Sequence, residues 1–198
     1  MDGLLAELTT APKLPLLISI AAGVRVSRFR KALPKARVIR AMPNTPALVG
    51  AGVSGWFAGP GCQKRDLELA DAILTSFGAA FRLADERLLD AVTGLSGSGP
   101  AFVFVMIEAM ADAGVLCGLS RALALQLAAR TVAGAGRMVI ESGEHPAALK
   151  DKVASPGGTT IAGLAELEDE GFRGAVIEAV AAAAERSFEL SGGDDEDD

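Results

Sequence analysis

The sequence predicts an α/β segment followed by an all-α segment, and three observations carry that reading. Up to about residue 85, short β-prone runs alternate with turn residues. From Glu86 onward the strand signals stop, and long Ala/Leu/Val segments follow one another, separated by single Gly or Pro residues. Aromatic residues make up only 5% of the 198 residues, with no Tyr, so the core must be built from Ala, Leu, Val and Ile with helices in close approach. The division implied is an α/β part over residues 1–85, a helical part over 86–190, and a solvated, disordered tail over 191–198, where Ser-Gly-Gly leads into five acids.

Taken in order, Leu16 to Ile20, Arg37 to Ala41, Val53 to Ala58 and Ala80 to Leu83 read as strands, with a helical pattern at Lys64 to Phe77 between the last two. Ser98-Gly99-Pro100 reads as a helix start, because Pro at the first helical position lacks only an N–H that would be unpaired anyway. The helix it opens runs to about Gly114 and is apolar on nearly every face except at Glu108 and Asp112, which share a side. Roughly 110 residues can hardly surround such a helix, which favours its burial in a dimer. Ser120 caps the next helix, which ends near Ser142-Gly143; its Ala124, Ala128, Val132 and Ala135 form a narrow small-residue stripe that permits close approach of another helix. Two further helices cover roughly Ile161 to Glu170 and Phe172 to Leu190.

Charge and composition exclude several classes of function. Five of the 25 acids close the chain, so the remaining body nearly balances its 19 bases. With no basic stripe, the body offers neither nucleic acid nor an anionic membrane a surface to bind. The single histidine and two separated cysteines make a zinc site or a Ser-His-Asp triad improbable. No signal peptide is legible, since Pro15 interrupts the first apolar run and an acidic segment precedes it. The apolar stretch Pro100 to Ala113 falls short of a membrane span. The expected location is the cytoplasm, with reduced thiols.

Four motifs could carry chemistry. Gly50-Ala-Gly52-Val-Ser-Gly55 matches GxGxxG, with Asp71 downstream, but Pro43 and Pro46 precede it and no helix start follows; it reads as a glycine-rich turn into a strand. Ser19-Ile-Ala-Ala22-Gly23 ends an apolar run in small residues against which a flat ligand can lie, although an ordinary strand-to-loop junction looks alike. In Met42-Pro43-Asn44-Thr45-Pro46 two prolines stiffen the loop, and the Asn44 amide suits either a carboxamide ligand or the capping of a rigid turn. Ser155-Pro156-Gly157-Gly158-Thr159-Thr160 runs into a helix, where freed backbone N–H groups, the helix dipole and two hydroxyls form an anion cradle. Without a lysine in the loop, it suits a single carboxylate better than a triphosphate. A plain Thr cap would account for Thr159 or Thr160 but not for both glycines. His145 reads as a surface turn residue, and Cys62 and Cys117 as small buried or partly buried hydrophobes.

The segments Asp90-Ala-Val-Thr-Gly-Leu-Ser-Gly-Ser-Gly-Pro100, Ala109 to Gly118 and above all Leu149-Lys-Asp-Lys-Val-Ala-Ser-Pro-Gly-Gly-Thr-Thr-Ile-Ala-Gly163 resemble pyrroline-5-carboxylate reductase, the last step of proline biosynthesis. The Ser-Ile-Ala-Ala-Gly and Met-Pro-Asn-Thr-Pro motifs match in order and spacing, and the likeness runs from about residue 16 to 190. The resemblance implies a partial Rossmann-like dinucleotide-binding domain using NADPH or NADH, then a C-terminal helical dimerisation domain that interlocks with a second subunit into a homodimer or higher homo-oligomer. It further implies that Ser155 and the backbone of Gly158 and Thr159 hold the substrate carboxylate, that the Thr160 hydroxyl is catalytic at the ring nitrogen, and that Glu86 borders the substrate. Ala22, Met42, Asn44 and Lys152 correspond to positions lining the nicotinamide half of the cofactor, with Lys152 standing where some members carry Asn.

The implied reaction is hydride transfer from NAD(P)H to the ring C=N of 1-pyrroline-5-carboxylate, giving L-proline. A protonated iminium is already an electrophile, so the protein mainly has to hold two rings face to face and needs no histidine. A hydroxy-acid dehydrogenase would be expected to carry Lys or His between Asp90 and Pro100, and neither is there. Members of the resembled family begin with a strand and a GxGxxG loop far upstream of the Ala-Ala-Gly motif, whereas here only about 20 residues precede it. The expectation is a chain without the front half of its cofactor domain and impaired in activity. The alternative is a non-catalytic dimerisation module derived from the reductase.

Overall fold

A computed structural model of the chain describes residues 2–9 and 16–192, the side chains of Asp2 and Leu4 apart. Of the tail expected over 191–198, residues 193–198 lie outside the described residues. The elements are α1 (Asp2–Thr9), β1 (Leu16–Ser19), α2 (Val26–Ala32), β2 (Arg37–Met42), a 3₁₀ turn (Thr45–Val49), β3 (Gly52–Ala58), α3 (Lys64–Thr75), β4 (Gly78–Arg82), α4 (Leu88–Val92), a π turn (Thr93–Gly97), α5 (Gly99–Leu116), α6 (Arg121–Ser142), α7 (Pro146–Val153), α8 (Thr159–Asp169) and α9 (Phe172–Leu190).

The four strands form one sheet in chain order, with β1 parallel to β2, β2 antiparallel to β3, and β3 parallel to β4. Along β2 successive side chains face opposite sides. Val38 joins Leu5, Val26, Phe29 and Leu33 on the side of α1 and α2, while Ile39 and Ala41 join Trp56, Ala70 and Leu74 on the side of α3. Arg40 shares the face of Val38 and is 3% exposed, a cation placed inside a hydrophobic layer. At the start of α3 the Asp66 carboxylate accepts the backbone N–H of Gln63 at 2.8 Å and holds Arg37 Nη1 at 2.6 and 2.9 Å. That backbone N–H first, and Arg37 second, hold the Asp66 carboxyl below its ordinary value against the opposing effect of burial.

Packing groups the chain into two compact units, the residues up to Pro100 with those from Glu178 onward, and Ala101–Ile177. The change of texture at residue 85 is one of secondary structure. In the second unit α5 and α6 meet through Ala111, Ala124 and Ala128, flanked by Ile107 and Val115. Ala124 fits because Gly114 faces it: a Cβ on Gly114 would stand 2.9 Å from that of Ala124. The first half of the small-residue stripe is thus used within the chain, while Ala135 is exposed.

Several expectations are met closely and others need correction. Ser120 caps α6, its Oγ accepting the N–H of Leu123, and Gly143 ends it at φ 66°. The strand placed at Ala80 to Leu83 starts instead at Gly78, and the helix of Lys64 to Phe77 stops at Thr75. His145 is exposed, as a turn residue should be, but its Nδ1 also caps α7 by accepting the N–H of Ala147. Cys117 is exposed rather than buried; Cys62 is partly buried and donates to the Val38 carbonyl. The apolar stretch of Pro100 to Ala113 belongs to a longer helical run, Leu88–Leu116, which is long and apolar enough to cross a membrane by length and composition, and only 6% of its most apolar window is buried.

Candidate active site

The first group of candidate residues gathers at one end of the sheet. β1 and β2 run parallel with Ser19 opposite Arg40, so the segments that follow both strands leave the sheet at their carboxyl ends, where ligands of open α/β sheets collect. Ala22 lies in the turn after β1 and is exposed, while its neighbour Gly23 is buried at φ 69°. Met42 closes β2, and Asn44 follows it. Asn44 Oδ1 accepts the N–H of Val53 at 2.9 Å across the 3₁₀ turn. The acceptor half of this amide is therefore committed to fixing the loop. A Cβ on Gly97, in the π turn, would come within 2.7 Å of the Met42 methyl, so this glycine leaves Met42 its place.

Glu86 belongs to the same unit, and its bonds are internal. Its Oε1 accepts Arg40 Nη1 at 3.1 Å and the backbone N–H of Val26 at 2.8 Å. Glu86 thus neutralises the buried Arg40 and satisfies the start of α2, the helix following β1. A second anion at that helix start would meet this carboxylate. The sequence reading does not single out Arg40; its signal is a basic residue inside the otherwise apolar run Val38 to Met42. The GxGxxG match, by contrast, is the turn it was read to be. Gly50 ends the 3₁₀ turn at φ 71°, and the run continues into β3, antiparallel to β2, with no helix start.

The second group lies in the other unit, around the start of α8. Gly157 takes φ 64°, a left-handed conformation that favours glycine, and the N–H of Gly158 closes the turn onto the Ser155 carbonyl at 3.0 Å. A Cβ on Gly158 would collide with Ser155 Oγ, so only glycine lets that hydroxyl sit over the helix start. Gly158 is the N-cap residue, and no side chain caps the helix. The first N–H groups of α8 therefore remain available beside the hydroxyls of Ser155, Thr159 and Thr160, and the 11-residue helix adds its positive end. That donor set, with no cation in the loop, is suited to one carboxylate. Lys152, on α7, is exposed and held by Glu144 at 2.6 and 2.7 Å. Among the described residues no cluster of His, Cys, Asp and Glu could hold a metal ion.

Comparison with known proteins identifies the family of the chain. The family described as pyrroline-5-carboxylate reductase dimerisation matches residues 86–190. The chain is 54% identical over 190 residues to the pyrroline-5-carboxylate reductase of Synechocystis sp., covering 96% of this chain and 71% of the relative. With that of Pisum sativum it shares 51% identity over 176 residues, covering 89% and 64%. Among solved structures, the Plasmodium falciparum pyrroline carboxylate reductase with NADP bound superposes with a TM-score of 0.87 at 34% identity, covering 96% of this chain and 71% of that one. The family match over residues 86–190 and the 54% identity to a relative covered over 71% of its length place the chain in the pyrroline-5-carboxylate reductase family.

Proposed function

We propose that the chain reduces 1-pyrroline-5-carboxylate to L-proline, and that its residues supply the substrate site and the nicotinamide end of the cofactor site. The observation that carries this reading is the start of α8, where free first-turn N–H groups and three hydroxyls gather around Gly158, whose missing Cβ leaves the Ser155 hydroxyl its place. Ser155 and the N–H of Thr159 would hold the substrate carboxylate, while the Gly158 N–H, bonded to the Ser155 carbonyl, fixes the turn that presents them. The Thr160 hydroxyl would donate to the ring nitrogen as its lone pair forms. NADPH or NADH, when bound, supplies the hydride. Ala22, Met42 and Asn44 would border its nicotinamide, the first by offering no side-chain bulk and the last through a loop that Val53 holds in place. Lys152 and Glu86 take secondary roles, Glu86 acting through Arg40 and α2.

The described residues offer the pyrophosphate no strand, glycine loop and free helix start in succession, since Glu86 already occupies the start of α2. The described residues by themselves should therefore bind the dinucleotide at least about a hundredfold more weakly than a site that supplies all three, or roughly 3 kcal/mol. The reading includes assembly with a second copy of the chain, as the dimerisation family it matches implies. Phe104 and Val105 on α5 are 61% and 66% exposed in the single chain, and a second copy would cover them. Titration of proline into the labelled chain, followed by NMR, tests the substrate site. Shifts should concentrate at residues 155–161 and vanish in Gly158→Ala; shifts spread over the surface, or none, would leave a dimerisation module as the better reading.

A further inference from the structure

We propose that the last turn of α9 is a latch that holds the loop bearing Ala22 in its binding shape, with Arg25 as the bolt. This rests on the reading of Ala22 as part of the nicotinamide site. Arg25 closes that loop just before α2, and it is gripped by groups more than 60 positions away in the chain. Its Nη2 lies 3.5 Å from Asp90 Oδ2, its Nε donates to Ser191 Oγ at 3.1 Å, and its guanidinium carbon stands 5.8 Å from the centre of the Phe188 ring. The grip is itself fastened: Ser187 Oγ, 3% exposed, donates to the other oxygen of Asp90 at 2.7 Å. Asp90 thus joins α4, α9 and the loop through one buried carboxylate.

The loop meets the same turn a second time. A Cβ on Gly23 would stand 3.0 to 3.1 Å from the backbone and Cβ of Leu190, so the loop lies directly on the end of α9. Gly23 and Arg25 of one short loop therefore touch the same helix end, one by packing and one by a charge-assisted hydrogen bond. Among the described residues, nothing in the Ala-Ala-Gly segment hydrogen-bonds to β2 or β3 in its place; its other fixing bond is local, from the N–H of Ala21 to Ser19 Oγ at 3.3 Å. The shape of the turn at Ala22 thus depends on residues 187–191, which follow the substrate unit in the chain.

The test is hydrogen exchange and ligand binding on the whole chain carrying Asp90→Asn or, should that variant fail to fold, the partly exposed Arg25→Gln. Exchange in residues 20–26 should accelerate about tenfold, the scale of losing one hydrogen bond to a charged group, while β2 stays within about twofold of the parent. NADPH affinity, measured by NMR titration into the millimolar range, should fall about tenfold with proline affinity unchanged. Acceleration spread evenly through β2, or none in residues 20–26, would overturn the latch. Local acceleration with unaltered NADPH affinity would overturn its positioning role. If the parent itself binds no NADPH, the cofactor reading fails and the exchange data alone decide the latch.

Discussion

Gly94 is a position at which a single methyl group should be costly. It lies in the π turn between α4 and α5, and a Cβ built there falls 2.5 Å from the Val180 carbonyl oxygen, 2.9 Å from Ala184 Cβ and 2.9 Å from the Ala184 nitrogen. Ordinary van der Waals contact needs about 3.5 Å or more. These obstacles are backbone atoms and a Cβ of α9, which have no rotamer into which to retreat, so relief requires the helices to separate. Overpacking of this kind costs roughly 1 to 3 kcal/mol and occasionally more. Replacing Gly by Ala within a helix returns up to about 1 kcal/mol, so Gly94→Ala should lose a net 1 to 3 kcal/mol, taking the upper part of the overpacking range. For a chain of this size each kcal/mol moves Tm by about 2 to 4 °C, giving a fall of roughly 2 to 12 °C by differential scanning calorimetry. Gly163→Ala is the matched comparison, since nothing lies within 4 Å of its added methyl in the chain. A Tm for Gly94→Ala equal to or above the parent's would refute the close approach of the π turn to α9.

Thr160→Ala should lower kcat about ten- to a hundredfold in an NAD(P)H oxidation assay with pyrroline-5-carboxylate, because its hydroxyl matters most as the ring nitrogen gains its lone pair; kcat and KM both at parent values would remove Thr160 from the mechanism. Because the Asp66 carboxyl is held below its ordinary value by Gln63 and Arg37, its stabilising effect is complete above about pH 4 and is lost as pH falls through the depressed folded value. Asp66→Asn should accordingly flatten the acid limb of a Tm-against-pH curve, and an unchanged limb would mean other carboxylates control it. Phe104→Glu should convert a dimer in sedimentation velocity to a monomer, and a parent that sediments as a monomer would remove the role assigned to the exposed face of α5.

The elements legible in the sequence were those whose ends carry their own chemistry. Ser120 and Gly143 mark α6 because a hydroxyl and a left-handed glycine satisfy the orphan groups at its two termini, and both residues sit where the structure needs them. α2 was harder to read for the opposite reason. Its apolar residues Val26, Phe29 and Leu33 fall on one face, but it spans only seven residues, and its N-cap residue Arg25 makes no side-chain cap. The acceptor for its first N–H is Glu86, 60 positions away, which no local pattern can indicate. α7 is short in the same way, and its cap is a histidine, an unusual choice for that role. The π turn is invisible for a further reason: Thr93–Gly97 differ from an ordinary helical turn only in the carbonyl each N–H selects, as when Ser98 bonds to Thr93.

The same distinction between local and distant chemistry governs the site. The cradle at Ser155 to Thr160 is made by consecutive residues that leave backbone donors free at the start of α8, so glycine and hydroxyl spacing alone points to it. The shape of the Ala22 loop is set by Asp90, Ser187 and Ser191, residues that look like ordinary helix polar positions until folding brings them to Arg25. Glu86 shows how the two kinds of information can diverge at one residue. Resemblance places it beside the substrate, while its bonds place it on Arg40 and on the first N–H of α2. A carboxylate already shared between a buried guanidinium and a helix start has little charge left to offer a ligand. Its larger effect is then to keep β2 and α2 in register, and with them Met42 at the end of β2 and the loop that carries Ala22.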